Sequence, residues 1–379
     1  MNSTPYLDNA ATTRLEPAVF EAMQHYFVAE FGNAGSRTHA YGSTAARAVD
    51  VARAQVAEVL GAAPEDVIFT SGATESNNLA IQGLEESLRS AGRQHVITTA
   101  IEHKAVLEPC DRLEQRGFEV TRLPVGRSGR VAVADLQREL RADTGLVSVM
   151  HVNNETGIVQ PIREFADALG DHPAYLHVDA AQGFGKELDH VRAGRVDLVS
   201  ISAHKLYGPK GVGALIVRAR PGGSRPALTP LVVGGGQERG LRAGTLPVAL
   251  IVGLGEACRL AIEHHEERWS RSTQFANALL DTFSRLGGQI NGDRSTSIPH
   301  IINVSFDGLD SEAFLVGTKD LVAVSNGAAC SSTQYRTSHV LEAMGVGDLA
   351  ANAIRFSVSH FDFEVDLNEL ESRIQSLRL

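Results

Sequence analysis

Between residues 67 and 217 the chain alternates short apolar runs with stretches of helical spacing, and no other feature constrains its fold as much. Residues 67–70, 94–99, 146–152, 175–179, 198–202 and 212–217 read as strands, and residues 43–60 and 162–169 as helices between them. Strands that alternate with helices build a mostly parallel sheet covered on both faces. After Val217 the pattern changes. Residues 218–230 hold three of the 13 prolines and read as a loop. Residues 248–286 read as nearly continuous helix. Alternating runs follow at 301–306 and 354–358, with helices around 311–316 and 338–343, which describes a smaller α+β unit. The expected division is a large domain over residues 15–260, with residues 1–14 and 261–379 forming the small one.

Length and composition fit this reading. The 379 residues suffice for one large domain or two. At 43% hydrophobic and 21% charged, the chain has the make-up of a soluble globular protein. The net charge of −10 argues against nucleic-acid binding through phosphate contacts. No apolar run is long enough to span a bilayer. The N-terminus lacks a basic region followed by an apolar core, so the expected compartment is the cytoplasm. Three widely spaced cysteines, Cys110, Cys258 and Cys330, suggest neither a disulfide framework nor a metal site.

In open α/β sheets ligands collect just past the carboxyl ends of strands. The run ending at Ser202 is followed by Ala203, His204 and Lys205, then by a glycine-rich turn. A loop lysine taken alone is an exposed one. Here the preceding run, 175–179, ends on a carboxylate, Asp179. A lysine that can bond an aldehyde and an acid that can face a pyridinium nitrogen are the two groups a pyridoxal phosphate site requires.

Other strand ends add candidates. Ser71 to Asn77 follows a strand and opens a helix, whose first N–H groups suit a phosphate. Ser202 and His204 are further candidate phosphate contacts. His103 is either a solvated helix-start histidine or an imidazole stacked on a planar ring. Asn153 and Asn154 are ordinary turn formers or ligand contacts, Asn154 the preferred one. Gln182 is placed to reach a ring oxygen. Cys110 and Cys258 lie in helical, apolar patterns and read as inert core thiols. Cys330 lies among small polar residues, where an exposed thiol is available for reaction. Arg355 sits inside a strand pattern, either facing water or clamping a substrate carboxylate.

The motifs LDNAATT, SGATESNN, EHKAVL, NNETG, HVDAAQ, SAHKLYGPKGVGAL, RAGT and GAACSS occur in one order from Leu7 to the IRFSVS run at Ile354. With them the chain resembles the pyridoxal-phosphate-dependent cysteine desulfurases of the NifS/IscS type, in the class V aminotransferase superfamily. The resemblance implies the fold-type-I α/β architecture, a seven-stranded-type, mostly parallel sheet plus a smaller α+β domain. It implies Lys205 as the cofactor-bonding lysine, Asp179 as the pyridinium partner and His103 as the stacked, catalytic histidine. Ala73, Thr74, Ser202, Ala203 and His204 match the phosphate site, and Asn154 and Gln182 match cofactor contacts. Thr245 matches a threonine that reaches the neighbouring subunit's phosphate, which implies a homodimer with shared sites. Cys330 matches the sulfur-accepting nucleophile and Arg355 the substrate-carboxylate arginine.

The implied reaction turns L-cysteine into L-alanine and hands sulfur to an acceptor protein, in iron–sulfur cluster assembly, tRNA thiolation or DNA phosphorothioation. A selenocysteine or cysteine-sulfinate lyase of the same superfamily is the alternative, and a non-catalytic scaffold a third. Two departures touch the substrate entrance: no proline follows the cysteine loop at residues 334–338, and the entry segment reads Asn33-Ala34-Gly35-Ser36.

Overall fold

The computed structural model describes residues 4–192, 194–220, 222–326, 337–361 and 365–378. Seven strands form the larger sheet: β1 (Val67–Thr70), β2 (His95–Thr99), β3 (Glu119–Leu123), β4 (Thr144–Met150), β5 (Tyr175–Asp179), β6 (Leu198–Ser202) and β7 (Gly213–Val217). Their order is β1-β7-β6-β5-β4-β2-β3. Neighbours from β6 through β3 run parallel, and β7 alone runs antiparallel, to both β6 and β1. Six of the seven runs are therefore those the apolar pattern marks. The seventh, β3, reads Glu-Val-Thr-Arg-Leu and is an edge strand open to solvent. Its half-polar sequence carries no buried-strand signal, which is why the sequence reading passes over it.

Helices cover both faces. On one side Ala40–Leu60 and Val248–Glu263 pack on the sheet through Val49, Val56, Leu60, Ile251, Leu254 and Cys258. On the other, Ala73–Gln82 and Lys104–Gln115 bury Leu79, Val106, Cys110 and Leu113 against Ile68, Val96 and Leu215. Cys110 and Cys258 are buried free thiols, as their patterns suggest. Burial pushes the Cys110 thiol up to about 12, so it stays a thiol.

The helix expected over 248–286 is two helices, Val248–Glu263 and His265–Arg285, joined at His264 (φ −107°, ψ 18°). The bend redirects the second helix to another core. There Ala276, Leu279 and Phe283 pack against β9 (Ile301–Ser305) and β10 (Ala353–Ser357) through Ile302, Val304, Ile354 and Phe356. With β8 (Gln289–Ile290) these strands make a three-stranded antiparallel sheet in the order β10-β9-β8.

The N-terminal segment links this sheet to the larger one. Asp8 bridges Ser357, and Leu7 is fully buried in the small core. A few residues on, Thr13 N donates to the His204 carbonyl at 2.9 Å. The chain thus passes beside Lys205 before its first helix, Pro17–Val28, begins.

Candidate active site

The carboxyl ends of β1, β2, β4, β5 and β6 open on a cavity of about 480 Å3. Each loop after those strands delivers one or more polar side chains. Ser71, Gly72, Ala73, Thr74 and Asn77 come after β1 and His103 after β2. Asn154 comes after β4. Asp179 ends β5 and Gln182 follows it. Ser202 ends β6, and His204 and Lys205 follow. Ala10, Ala11 and Thr12 of the N-terminal segment also line it.

Asp179 closes β5 with its carboxylate held from both sides. Oδ2 accepts from Asn77 Nδ2 at 2.7 Å, and Oδ1 from the Ala181 N–H at 3.0 Å. Lys205 Nζ donates to the Ala11 carbonyl at 2.7 Å and to that of Ala10. Gln182 Nε2 donates to the same Ala10 carbonyl at 2.7 Å, leaving its own oxygen buried without a partner. A buried, unsatisfied oxygen at a cavity wall marks a place for a ligand donor.

His103 caps the helix Lys104–Gln115, its Nδ1 accepting from the Ala105 N–H at 3.1 Å. The proton of the neutral ring is thereby assigned to Nε2. Burial, helped by the charges of Lys205 and His339 and opposed by Asp179, holds its pKa below the ordinary value. His204 Nδ1 meets Thr12 Oγ1 at 3.1 Å. Burial and the Lys205, Lys210 and Lys186 charges push its pKa down to about 4.

The turn after β1 is shaped for close approach. Gly72 has φ 151°, a conformation other residues rarely adopt, and it caps the helix Ala73–Gln82. Ala73 and Thr74 of that first turn line the cavity together with Ser202 and His204, and the free N–H groups of a helix start suit a phosphate. Glu75, one turn in, is turned away, bonded to Ser71 N at 2.8 Å and to Arg242 Nε at 2.9 Å.

Not every candidate lines the cavity. Ala203 is fully buried, its methyl in the core under β6, so only its neighbours Ser202 and His204 meet the cavity. Thr245 is exposed and away from it. Arg355 is fully buried rather than water-facing; its Nη2 meets Asp8 Oδ1 at 2.7 Å and its Nη1 the Asn154 carbonyl at 3.1 Å. It therefore stands behind a lining residue. Cys330 lies outside the described residues.

Residues flanking that stretch are anchored beside the cavity. Ser325 pairs with Arg355, Ser338 Oγ bonds to Glu155, and His339 Nε2 meets the Glu102 carbonyl at 2.9 Å.

Asn77, the Ala10 and Ala11 carbonyls, Glu102 and Glu155 escape the sequence reading. Asn77 had one available signal: asparagine is disfavoured inside helices, and two stand together at 77–78. Glu102 is fully buried, accepts from Thr99 Oγ1 at 2.6 Å and Met150 N at 2.9 Å, and burial pushes its pKa up to about 8.

A mixed seven-stranded sheet with a lysine and an acid at adjoining strand ends defines a class of enzyme, and the sequence match agrees: residues 5–370 fit the class-V aminotransferase family, to which the chain belongs. Within it the relatives are cysteine desulfurases. Cysteine desulfurase IscS of Rickettsia africae is 46% identical over 384 residues, covering 98% of this chain and 92% of its own. Among solved structures, DndA from Streptomyces lividans is 49% identical with a TM-score of 0.82, covering 93% of this chain and 99% of its own. SspA, solved in complex with cysteine, is 37% identical with a TM-score of 0.84, covering 95% and 100%.

Proposed function

We propose that this chain is a cytoplasmic, pyridoxal-phosphate-dependent cysteine desulfurase that converts L-cysteine to L-alanine and holds the sulfur as a persulfide on Cys330 before passing it to an acceptor protein. The observation that carries the reading is the meeting of Lys205, Asp179 and the helix start at Ala73 on one cavity. When bound, the cofactor supplies an aldehyde for amines and a protonated ring that draws electrons from the substrate Cα.

The residues present fit that group. Asp179, oriented by Asn77 and Ala181, would hold the protonated ring nitrogen. Ala73 and Thr74 N–H groups, with Ser202 and His204, take the phosphate. Burial and the neighbouring lysines hold the His204 pKa at about 4 in this structure, and a bound phosphate's charge would act in the opposite direction. His103 would stack on the ring, and Asn154 and Gln182, which line the same cavity, would contact it at its edge.

Lys205, whose amine here donates to the Ala10 and Ala11 carbonyls, would hold the cofactor through its aldehyde and, when free, would serve as the general base for the substrate Cα proton. The Cys330 thiolate attacks the substrate sulfur. The new S–S bond forms as the Cβ–S bond breaks, and Cβ takes the electron pair and a proton to become the methyl of alanine. A reducing compartment suits a thiol that must be free at each turnover. Arg355, behind Asn154, is the candidate partner for the substrate carboxylate.

The homodimer reading is supported by Thr245 and its surroundings. Thr245 is exposed, and Leu231, Val232 and Val233 on the preceding segment are 45%, 47% and 80% exposed, a patch suited to being covered. The large and small units meet near residue 260, close to the bend at His264.

The test is a pair of variants. Lys205→Ala loses the cofactor's visible band from the purified protein. Cys330→Ser keeps the band and forms no alanine from L-cysteine. Retention of full activity by Cys330→Ser, on cysteine, selenocysteine or cysteine sulfinate, identifies a lyase instead.

A further inference from the structure

The turn that opens the helix Ala73–Gln82 is held by a carboxylate as well as by its own backbone. Glu75 is the acid in the first turn of that helix. Its Oε2 reaches back past the cap residue Gly72 and accepts from the Ser71 N–H at 2.8 Å. Ser71 and Gly72 line the large cavity, so Glu75 shapes the loop where a phosphate would be held.

That carboxylate is ionised. Burial works to raise the Glu75 pKa, but hydrogen bonds from Arg242 and Ser71, with the Arg242 charge, bring it below the ordinary value. An acid in the first turn of a helix is favoured by the positive end of the macrodipole. A phosphate at the same helix start draws on the same field, and two anions so placed repel each other. The helix start therefore binds phosphate well only where a cation offsets Glu75.

Arg242 supplies that cation from 167 positions further along the chain. Its Nε donates to Glu75 Oε1 at 2.9 Å and its Nη2 to Oε2 at 3.4 Å, so one planar fork engages both oxygens. Arg242 is itself held in place. Gln237 Oε1 accepts from the Gly244 N–H at 2.8 Å and closes the segment on which the arginine stands. Glu238 fastens this segment to the sheet. It is buried, takes Arg53 Nη2 at 2.7 Å and Nη1 at 2.9 Å, and accepts from the Phe69 N–H of β1 at 2.7 Å. Glu238 and Arg239 have φ of 46° and 57°, the left-handed region that residues other than glycine rarely adopt. Such backbone persists where its surroundings fix it, and here the ion pair and the bond to the sheet edge do so. Residues 237–244 thus form a brace, fastened to β1 at one point and to the helix after β1 at another.

We propose, on the pyridoxal phosphate reading of the cavity, that Arg242 is a positioning residue for the cofactor phosphate: paired with Glu75, it fixes the turn at residues 71–73 and cancels the negative charge at the helix start. Arg242 does not line the cavity, so it acts through Glu75 and not by touching the phosphate.

The test compares pyridoxal phosphate with pyridoxal, which lacks the phosphate, on the full chain stripped of cofactor, with the visible band as readout. Arg242→Gln should weaken pyridoxal phosphate binding by about tenfold or more, the scale of one charged hydrogen bond, and pyridoxal binding by less than about threefold. Adding Glu75→Gln removes the uncompensated charge and keeps an oxygen for the Ser71 N–H. The double variant should therefore return to within about threefold of the wild type. Both side chains reach the surface, at 23% and 18% exposure, so exchanging them leaves the core intact. Glu75→Gln alone leaves Arg242 as an uncancelled cation and should raise the preference for pyridoxal phosphate over pyridoxal, a measurement that decides even if Arg242→Gln does not fold. Equal losses for the two ligands in Arg242→Gln, a double variant no tighter than Arg242→Gln, or an unchanged preference in Glu75→Gln overturn the proposal and leave the cofactor reading intact. A wild type that binds neither ligand overturns both.

Discussion

Asn77 Nδ2 stands 2.7 Å from Asp179 Oδ2, and Asn77 is fully buried. The Asn77 side-chain oxygen has no partner, so its main task is to donate to that carboxylate. A hydrogen bond to a charged group contributes about 1.5–3 kcal/mol, roughly ten- to a hundredfold in an equilibrium. Asn77→Ala should weaken cofactor retention by about tenfold on that scale. It should also shift the pH at which the cofactor's visible band changes, because Asp179 is then held from one side only. Unchanged retention with an unchanged spectral titration would make Asn77 a core residue and nothing more.

Much of this arrangement is legible in the chain itself, for a physical reason. Residues 67–70, 175–179 and 198–202 are apolar because both faces of β1, β5 and β6 are covered, so the strand ends can be read from where the apolar run stops. Asp179, Lys205 and His103 follow such stops directly. The partners that hold them do not. Ala10 and Ala11 contribute carbonyls, which every residue has, from a segment nearly two hundred positions away. The edge strand β3 is half-polar because it is half-solvated, and so it resembles a loop.

Arg355 Nη2 and Asp8 Oδ1 form a 2.7 Å ion pair, with the arginine side chain only 1% exposed. Its Nε is buried and unpaired, a donor still available beside the Asn154 loop. If that donor serves the substrate carboxylate, Arg355→Lys loses the planar fork. The KM for L-cysteine should then rise by about tenfold or more, the equivalent of one charged hydrogen bond, with a smaller change in kcat. Asp8→Ala isolates the structural share: it leaves the guanidinium buried and unpaired, which should cost about 3 kcal/mol in denaturant unfolding. An arginine that serves stability alone gives the second effect without the first.

His177 is fully buried between Ser148 Oγ at 2.8 Å and Ser200 Oγ at 3.0 Å. Burial pushes its pKa down to about 3, so the folded ring is neutral at every working pH. The unfolded chain gains a proton there below the ordinary value of 6.5. Stability is therefore lost as pH falls from 6.5 toward 3, with a slope approaching about 1.4 kcal/mol per pH unit for this one group. His177→Gln keeps a donor and an acceptor between the two serines and removes the titration. Unfolding free energies measured at pH 7.5, 6.0 and 5.0 should fall less steeply in the variant by about one proton. Equal slopes would show that His177 gains no proton on unfolding.

Gly213 begins β7 and lies against the turn that opens the helix Ala73–Gln82. A Cβ at this position would meet the Ile201 carbonyl and come within 2.7 Å of Gly72 Cα. Both neighbours are backbone and cannot rotate aside as a side chain could. Ile201 precedes Ser202 at the end of β6, and Gly72 carries the φ of 151° that aims the first N–H groups of the helix. Gly213→Ala must therefore push apart the two elements that meet at the phosphate end of the cavity. The cost should exceed the 1–3 kcal/mol common for overpacking, and it should fall on cofactor binding as well as on unfolding. Free pyridoxal phosphate should restore the visible band of the variant only at concentrations at least tenfold above those the wild type needs, about 1.4 kcal/mol of lost affinity. If the variant unfolds more easily yet binds the cofactor as the wild type does, the phosphate is held elsewhere, and the helix start at Ala73 is only a cap.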